Sequence, residues 1–193
     1  MKVLVACEYS GTVREAFRRR GHTAWSCDLL PTDVPGLHYQ GDIRDILDDR
    51  WDLMVAHPPC THLAVSGARW FKGKEAEQAE ALDFVRLLLD APIERIALEN
   101  PVSIISTRIR KPDQIIQPWH FGHDASKKTC LWLKNLPLLQ DTDRLPGDDK
   151  TRRGNQTPSG QNRLGPSEDR WKLRSLTYPG IAEAMADQWG GTP

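Results

Sequence analysis

Short, continuous apolar runs alternate with helical stretches over the first hundred residues of this chain. The runs are KVLVACE at residues 2–8, HTAWSCD at 22–28, WDLMVAHPP at 51–59 and ERIALENP at 94–101, and such runs are typical of strands buried on both faces of a parallel sheet. Between them, VREAFRRRG at 13–21 and KEAEQAEALDFVRLLLDAP at 74–92 have helical character. This order predicts a doubly wound, Rossmann-like α/β fold with a mostly parallel sheet.

The chain length of 193 residues predicts a single domain, residues 1–193, with a substantial core. Within it, residues 140–174 are polar and rich in Gly, Pro, Asp and Arg, which is typical of a long and flexible loop. TYPGIAEAMADQWG at 177–190 predicts a closing helix, so that we expect the last element to occupy residues 175–190.

Cysteine usage and hydropathy indicate the compartment. The four cysteines are far apart and form no CxxC pair, which predicts reduced thiols. No apolar run approaches the roughly 20 residues that a membrane span needs, and the first residues lack a signal-peptide pattern. We therefore expect a cytoplasmic protein that does not interact with membranes.

The charge distribution limits what can be said about nucleic acid. The net charge is formally +0, so the composition as a whole does not predict attraction to phosphates. A local basic excess does occur in the polar loop, which carries Arg144, Lys150, Arg152, Arg153, Arg163, Arg170, Lys172 and Arg174. We expect this loop to contact a substrate through its phosphates, although a solvated loop would have a similar composition.

Polar residues follow each predicted strand. They are Glu8 to Gly11, Asp28, Asp42, His57 to Cys60, and Glu99 with Asn100. Doubly wound sheets bind ligands beyond the carboxyl ends of their strands. The sequence therefore predicts a functional site at this edge.

The HPPCTH segment at residues 57–62 has three interpretations. His57, Cys60 and His62 are possible metal ligands, but their spacing fits no zinc pattern and no nearby fourth ligand is evident. An inert core thiol suits Cys7 and Cys27, which we expect inside strands, but the two prolines end the strand before Cys60. A nucleophile is favoured, because proline fixes the direction of the loop and Glu99 follows another predicted strand. No metal is predicted.

Taken together, these segments resemble the DNA cytosine-5 methyltransferase family. HPPCTHLAVSG is similar to the Pro-Cys loop of that family, and ALENP at 97–101 is similar to its Glu-Asn motif. VACEYSGTVREAFRRRGH at 5–22 resembles its opening glycine loop and helix. FGHDASKKTCLWL at 121–133 and TYPGIAEAM at 177–185 resemble its later motifs. The likeness covers residues 2–134 and about 175–189, in family order.

This resemblance implies a fold and a reaction that depend on S-adenosylmethionine. Cys60 would attack the ring carbon beside the one that is methylated, and Glu99 would contact the ring nitrogen and the amine. Asn100 would hold the Pro-Cys loop, and Lys127 or, as we predict, Lys128 would contact the base or a phosphate. The implied cofactor-binding residues are Glu8, Tyr9, Ser10, Gly11, Thr12, Asp28, Leu29, Asp42, Ile43, His57, Pro58 and Pro59.

Three departures from the family pattern bear on the substrate. Thr61 stands where the family has glutamine, lysines replace an arginine-rich motif, and the target-recognition domain is missing, as in small, phage-type enzymes of bacterial or phage-infected cells. DNA with weak sequence specificity is the expected substrate. The same chemistry on free cytosine nucleotide or single-stranded nucleic acid, an amino-methyltransferase and a non-catalytic S-adenosylmethionine-fold binding module remain alternatives.

Overall fold

The computed structural model describes residues 1–191 of the chain. Seven strands form one sheet. They are β1 (Lys2–Ala6), β2 (Thr23–Asp28), β3 (His38–Gln40), β4 (Leu53–Ala56), β5 (Arg95–Pro101), β6 (Gln114–Ile116) and β7 (Thr129–Lys134). The helices are α1 (Thr12–Arg19), α2 (Glu75–Leu89), α3 (Ile105–Arg108), α4 (Arg170–Ser175) and α5 (Pro179–Trp189).

The strand order is β3-β2-β1-β4-β5-β7-β6. Strands β1 to β5 are parallel to one another, and β7 runs antiparallel to both β5 and β6. The order reverses between β1 and β4, which is the switch point where doubly wound sheets open a crevice beyond their strand ends. The predicted fold class, a doubly wound and mostly parallel Rossmann-like sheet, is confirmed.

Two apolar cores lie on opposite faces of the sheet. Val3 and Val5 of β1 belong to the core that includes α1 and α5, whereas Leu4 and Ala6 belong to the core that includes α2. Successive side chains of a strand point to opposite faces, so a strand covered on both sides has to be apolar at every position. This explains why the central strands are continuous apolar runs in the sequence.

Some local expectations were wrong. Cys7 does not lie inside a strand but just after β1, and its φ of 59° places it in the left-handed region at a turn. Strands β3 and β6, of three residues each, were not predicted. Helix α4 lies within the segment expected to be a loop. No helix within residues 1–191 is long and apolar enough to cross a membrane.

The polar segment that begins at residue 140 is partly held by Trp119. The Arg144 and Arg153 guanidinium carbons each lie 4.5 Å from the centroid of the Trp119 ring, and Leu145 N donates to Trp119 O at 2.8 Å. Arg153 is only 5% exposed, so the expectation that its side chain is available for phosphate contact is wrong.

Candidate active site

The loop that carries Cys60 is fixed on both sides of the thiol. Before it, Asn100 Nδ2 donates to Pro58 O at 2.9 Å. After it, the N–H groups of Leu63 and Ala64 both donate to Cys60 O, at 3.0 and 2.9 Å. Pro58 is buried, whereas Cys60 is exposed at the carboxyl edge of the sheet. These contacts hold an accessible thiol beyond the end of β4.

Glu99 is brought beside this loop because β4 and β5 are parallel neighbours. Its Oε2 lies 2.9 Å from Nδ1 of His57, and both side chains are largely buried. Burial by itself would raise the pKa of Glu99, but the hydrogen bond to His57 and the charge of Lys127 hold that pKa below its usual value. The carboxyl group is therefore ionised at neutral pH.

His57 was expected among the cofactor-binding residues. Its backbone N–H donates to Ala6 O at 2.9 Å, which extends the pairing of β4 with β1. Its ring is directed to Glu99, and its Nε2 is buried without a hydrogen-bond partner among the described residues. The ring therefore belongs to the environment of the carboxylate.

The Cys60 thiol is exposed at one side, but the protein around it and the negative charge of Glu99 raise its pKa above the usual value. The positive charges of Lys127 and Arg174 act in the opposite direction. The thiol is thus protonated at neutral pH, while the neighbouring carboxyl group is not. Cys60 and Glu99 together hold one proton, and it resides on sulfur.

Lys127, rather than Lys128, lies nearer to these two groups. Its charge lowers the pKa of both Glu99 and Cys60, and its Nζ donates to Leu176 O at 3.0 Å. Thr129, the first residue of β7, also helps to lower the pKa of Glu99. The segment just before β7 therefore brings Lys127 close to the carboxylate.

Lys128 points elsewhere. Its Nζ lies 3.1 Å from the Asp149 carboxylate. The side chain lines an open cleft of about 440 Å³ together with Trp119 and Arg144. Its assignment as a catalytic residue stays a prediction that these contacts do not support.

The glycine turn after β1 begins α1. Gly11 has a φ of 73°, in the left-handed region that glycine adopts without strain, and Thr12 is the first helical residue. The buried Glu8 carboxylate accepts from the N–H groups of Val13 at 2.7 Å and Arg14 at 3.2 Å. Ser10 Oγ also donates to Glu8, at 3.2 Å. Glu8 therefore caps the first turn of α1.

Two acidic residues, Asp28 at the end of β2 and Asp42 just after β3, lie in different environments. Asp28 is half-buried, which raises its pKa, and its Oδ1 accepts from Leu30 N at 3.0 Å. Leu29, beside it, is 73% exposed. Asp42 is engaged by Arg44, whose N and Nη1 lie 2.9 and 2.8 Å from its two oxygens. Ile43 is only 4% exposed and packs in the core.

Tyr9 lies beneath α4. Its ring centroid is 6.2 Å from that of Trp171, and its hydroxyl is 3.1 Å from Ser175 Oγ. The sequence gave no indication of this contact, since α4 was not predicted. Within residues 1–191, leaving out the side chains of 68–70, no three His, Cys, Asp or Glu residues are grouped so that they could hold a metal ion.

The fold and these side chains define an α/β protein with a thiol, a carboxylate and an imidazole at its switch-point edge. No protein-family profile and no curated protein sequence matches the chain. Among solved structures, a mutant of DNMT2 from Spodoptera frugiperda is similar, with a TM-score of 0.45 and 16% sequence identity. The similarity covers 78% of this chain and 57% of the DNMT2 chain. A likeness of this degree says nothing about the reaction.

Proposed function

We propose that this chain is a methyltransferase that transfers a methyl group from S-adenosylmethionine to carbon 5 of cytosine, with DNA as the expected substrate. The observation that carries the proposal is the placement of an accessible thiol, Cys60, beside the ionised carboxylate of Glu99 on adjacent strand ends. Carbon 5 of cytosine is a poor nucleophile until a thiolate adds to carbon 6 and ring nitrogen 3 gains a proton. The two side chains match these two requirements.

The single proton of the pair suits this reaction. Transfer of this proton from Cys60 to Glu99 would leave a thiolate that can bond to carbon 6. Glu99 could then pass the proton to ring nitrogen 3. Glu99 would then accept hydrogen bonds from the protonated ring nitrogen and the exocyclic amine. Once carbon 5 carries the methyl group, it loses its original proton to water. The electrons of the C5–H bond form the C5–C6 double bond, the electrons of the broken carbon–sulfur bond return to Cys60 as the thiolate leaves, and the proton on ring nitrogen 3 returns through Glu99 to Cys60.

The residues at the strand ends suit the cofactor. S-adenosylmethionine supplies an electrophilic methyl group when it is bound. Gly11 permits close approach of the backbone after β1, and the Asp28 carboxylate, which has one oxygen hydrogen-bonded to Leu30 N, is available to ribose hydroxyls. The exposed Leu29 offers an apolar contact for adenine. Glu8 and Asp42, also among the expected cofactor residues, are engaged within their own turns.

One assay tests this proposal and its alternatives. Labelled methyl transfer would be measured on duplex DNA, single-stranded DNA, RNA and deoxycytidine monophosphate, and the product base identified by mass spectrometry. We expect 5-methylcytosine from the wild type and none from Cys60→Ser, whose melting temperature should be unchanged because the residue is exposed. A product methylated on the exocyclic amine, or a Cys60→Ser enzyme of near-normal rate, contradicts the proposed chemistry.

A covalent trap makes the test independent of turnover. Cytosine with fluorine at carbon 5 cannot lose that substituent as a cation, so the bond to Cys60 should persist after methyl transfer. A complex that survives denaturation with wild type, and is missing with Cys60→Ser, is expected. A protein that binds S-adenosylmethionine but forms neither product nor adduct is the non-catalytic binding module.

A further inference from the structure

Helix α4 lies across the edge of the sheet that carries the candidate site. The Tyr9 hydroxyl donates to Lys172 O at 3.3 Å and lies 3.1 Å from Ser175 Oγ. Lys127 Nζ donates to the carbonyl oxygen of Leu176, the residue that follows the helix, at 3.0 Å. The C-terminal half of α4 is therefore joined both to the turn after β1 and to the segment before β7. The positive charge of Arg174 also acts on the Cys60 thiol, lowering its pKa, so this end of the helix lies near the candidate site.

Helix α4 carries two large apolar side chains that the described residues leave half exposed. Trp171 is 53% exposed and Leu173 is 51% exposed, and no residue of α4 is buried. An isolated exposed leucine is ordinary in proteins, but a half-exposed tryptophan next to an active site offers a ring on which a planar ligand can stack.

The same helix is basic, and its charges form no ion pairs with described residues. The sequence RWKLRS contains three basic residues and no acidic one, and none of the three forms an ion pair with a described residue. By contrast, Lys128 and Arg144 are paired with Asp149 and Asp141. Lys172 Nζ lies 5.7 Å from the centroid of the Trp171 ring. Cations without ion-pair partners around an aromatic ring complement a ligand that combines phosphates with planar bases.

We propose that α4 is a binding surface for single-stranded nucleic acid, on which a base next to the target cytosine stacks on Trp171 while phosphates contact Lys172 and Arg174. This inference rests on the proposed function and gives it a substrate class. A base has to be unpaired to stack on a side chain, so a single strand fits this surface better than a duplex. Stacking and phosphate contact do not read sequence.

Direct binding to an oligonucleotide without cytosine tests the surface apart from the reaction. The fluorescence anisotropy of labelled oligothymidylate would be measured with wild type, Trp171→Ala, Trp171→Phe and Leu173→Ala. Because stacking on an aromatic ring contributes about 1–3 kcal/mol per base, Trp171→Ala should raise the Kd by about 5- to 150-fold. Trp171→Phe should retain most of the affinity. Leu173→Ala, the matched control for an exposed apolar residue on the same helix, should change it less than twofold.

The proposed phosphate contacts should be detectable in the salt dependence of binding. Lys172→Gln should weaken binding of all sequences about equally and lower the slope of log Kd against log salt concentration by about 0.7, the value for one phosphate contact of a single strand. The helix has no buried residue, so these variants should keep the wild-type melting temperature.

Three results would overturn the inference. The first is an unchanged Kd of Trp171→Ala for oligothymidylate. The second is a Trp171→Ala variant that, in calorimetry, loses affinity only for S-adenosylmethionine. The third is self-association that depends on Trp171 in sedimentation. Failure of the proposed function is distinguishable from these, since it would leave no methylated product on any substrate while the Trp171-dependent binding to oligothymidylate persists.

Discussion

His57 Nδ1 lies 2.9 Å from Glu99 Oε2, so the residue that opens the Pro-Cys loop holds the carboxylate on the neighbouring strand. The contact is largely buried and charge-assisted. It fixes one oxygen of the carboxylate. Since the same contact lowers the pKa of Glu99, His57 also keeps this carboxyl group ionised before the substrate arrives.

Replacing His57 should move the acid limb of the pH–rate profile. In His57→Phe the carboxylate loses its hydrogen-bond donor, so the pKa of Glu99 rises. A hydrogen bond to a charged group contributes roughly 1.5–3 kcal/mol, which corresponds to about 1–2 pH units. Steady-state kcat/KM between pH 4.5 and 8 is the measurement. His62→Phe, another histidine of the same loop, is the control and should leave the acid limb unchanged. If the acid limb of the pH–rate profile does not shift in His57→Phe, the role of His57 is packing alone.

The shared proton predicts a flat pH profile with two limbs. The lowered pKa of Glu99 and the raised pKa of Cys60 enclose a range in which the pair holds one proton. Below the pKa of Glu99 a second proton binds, and above the pKa of Cys60 the proton needed at the ring nitrogen is lost. Thus kcat/KM should be constant near neutral pH and fall about tenfold per unit outside this range. A rate that keeps rising through the alkaline limb would mean that Glu99 needs no proton.

Chemical modification of Cys60 should depend on pH differently from kcat/KM. It should also reveal the influence of Glu99 on the thiol. Alkylation by iodoacetamide follows the thiolate fraction, so labelling of Cys60 in the free protein should rise continuously with pH. Glu99→Gln removes the nearby negative charge, lowers the pKa of Cys60 and should accelerate labelling several-fold at pH 8 while abolishing turnover. Peptide mass spectrometry reports each site, and the buried Cys27, whose pKa Glu99 does not influence, serves as the internal control. Equal labelling rates would mean that the two groups do not interact.

The central strands and their ends could be predicted from the sequence because both faces of the sheet are covered. Continuous apolar runs mark β1, β4 and β5, and the polar residues that follow them meet at one edge in any parallel sheet. The strand β3 has only three residues, HYQ, of which none is fully buried. Its hydropathy is therefore that of a loop.

The pairings within the site depend on packing that local patterns do not contain. The contact of His57 with Glu99 joins residues 42 positions apart, and it follows only once β4 and β5 are known to be neighbours. Arg153 was assigned to an exposed basic loop because arginine is rarely buried, whereas its guanidinium packs against Trp119. Helix α4 escaped prediction because its sequence, RWKLRS, has no apolar face.

Replacing Glu8 tests whether this residue of the glycine turn caps α1 or binds the cofactor. Its carboxylate accepts two N–H groups at the start of α1, and capping interactions of this kind contribute about 1–2 kcal/mol. Glu8→Gln should lower the free energy of unfolding by that amount in urea titrations. The control Glu80→Gln, at an exposed position of α2, should change it by less than about 0.5 kcal/mol. Calorimetry should find the affinity for S-adenosylmethionine nearly unchanged; a large loss of affinity with unchanged stability would make Glu8 a cofactor ligand.

Trp119 should determine whether the segment after β7 is held to the domain. Its ring is 2% exposed and contacts the guanidinium groups of Arg144 and Arg153. Trp119→Leu removes both cation–π contacts and leaves a cavity, so we expect a loss of about 2–4 kcal/mol in the free energy of unfolding. Trypsin should also cleave faster after Arg152 and Arg153. Trp171→Leu, at an exposed tryptophan, is the matched control and should cost less than about 0.5 kcal/mol. If Trp119→Leu accelerates cleavage without lowering the free energy of unfolding, the segment unfolds separately from the sheet. If neither quantity changes, the Trp119 ring does not hold the segment.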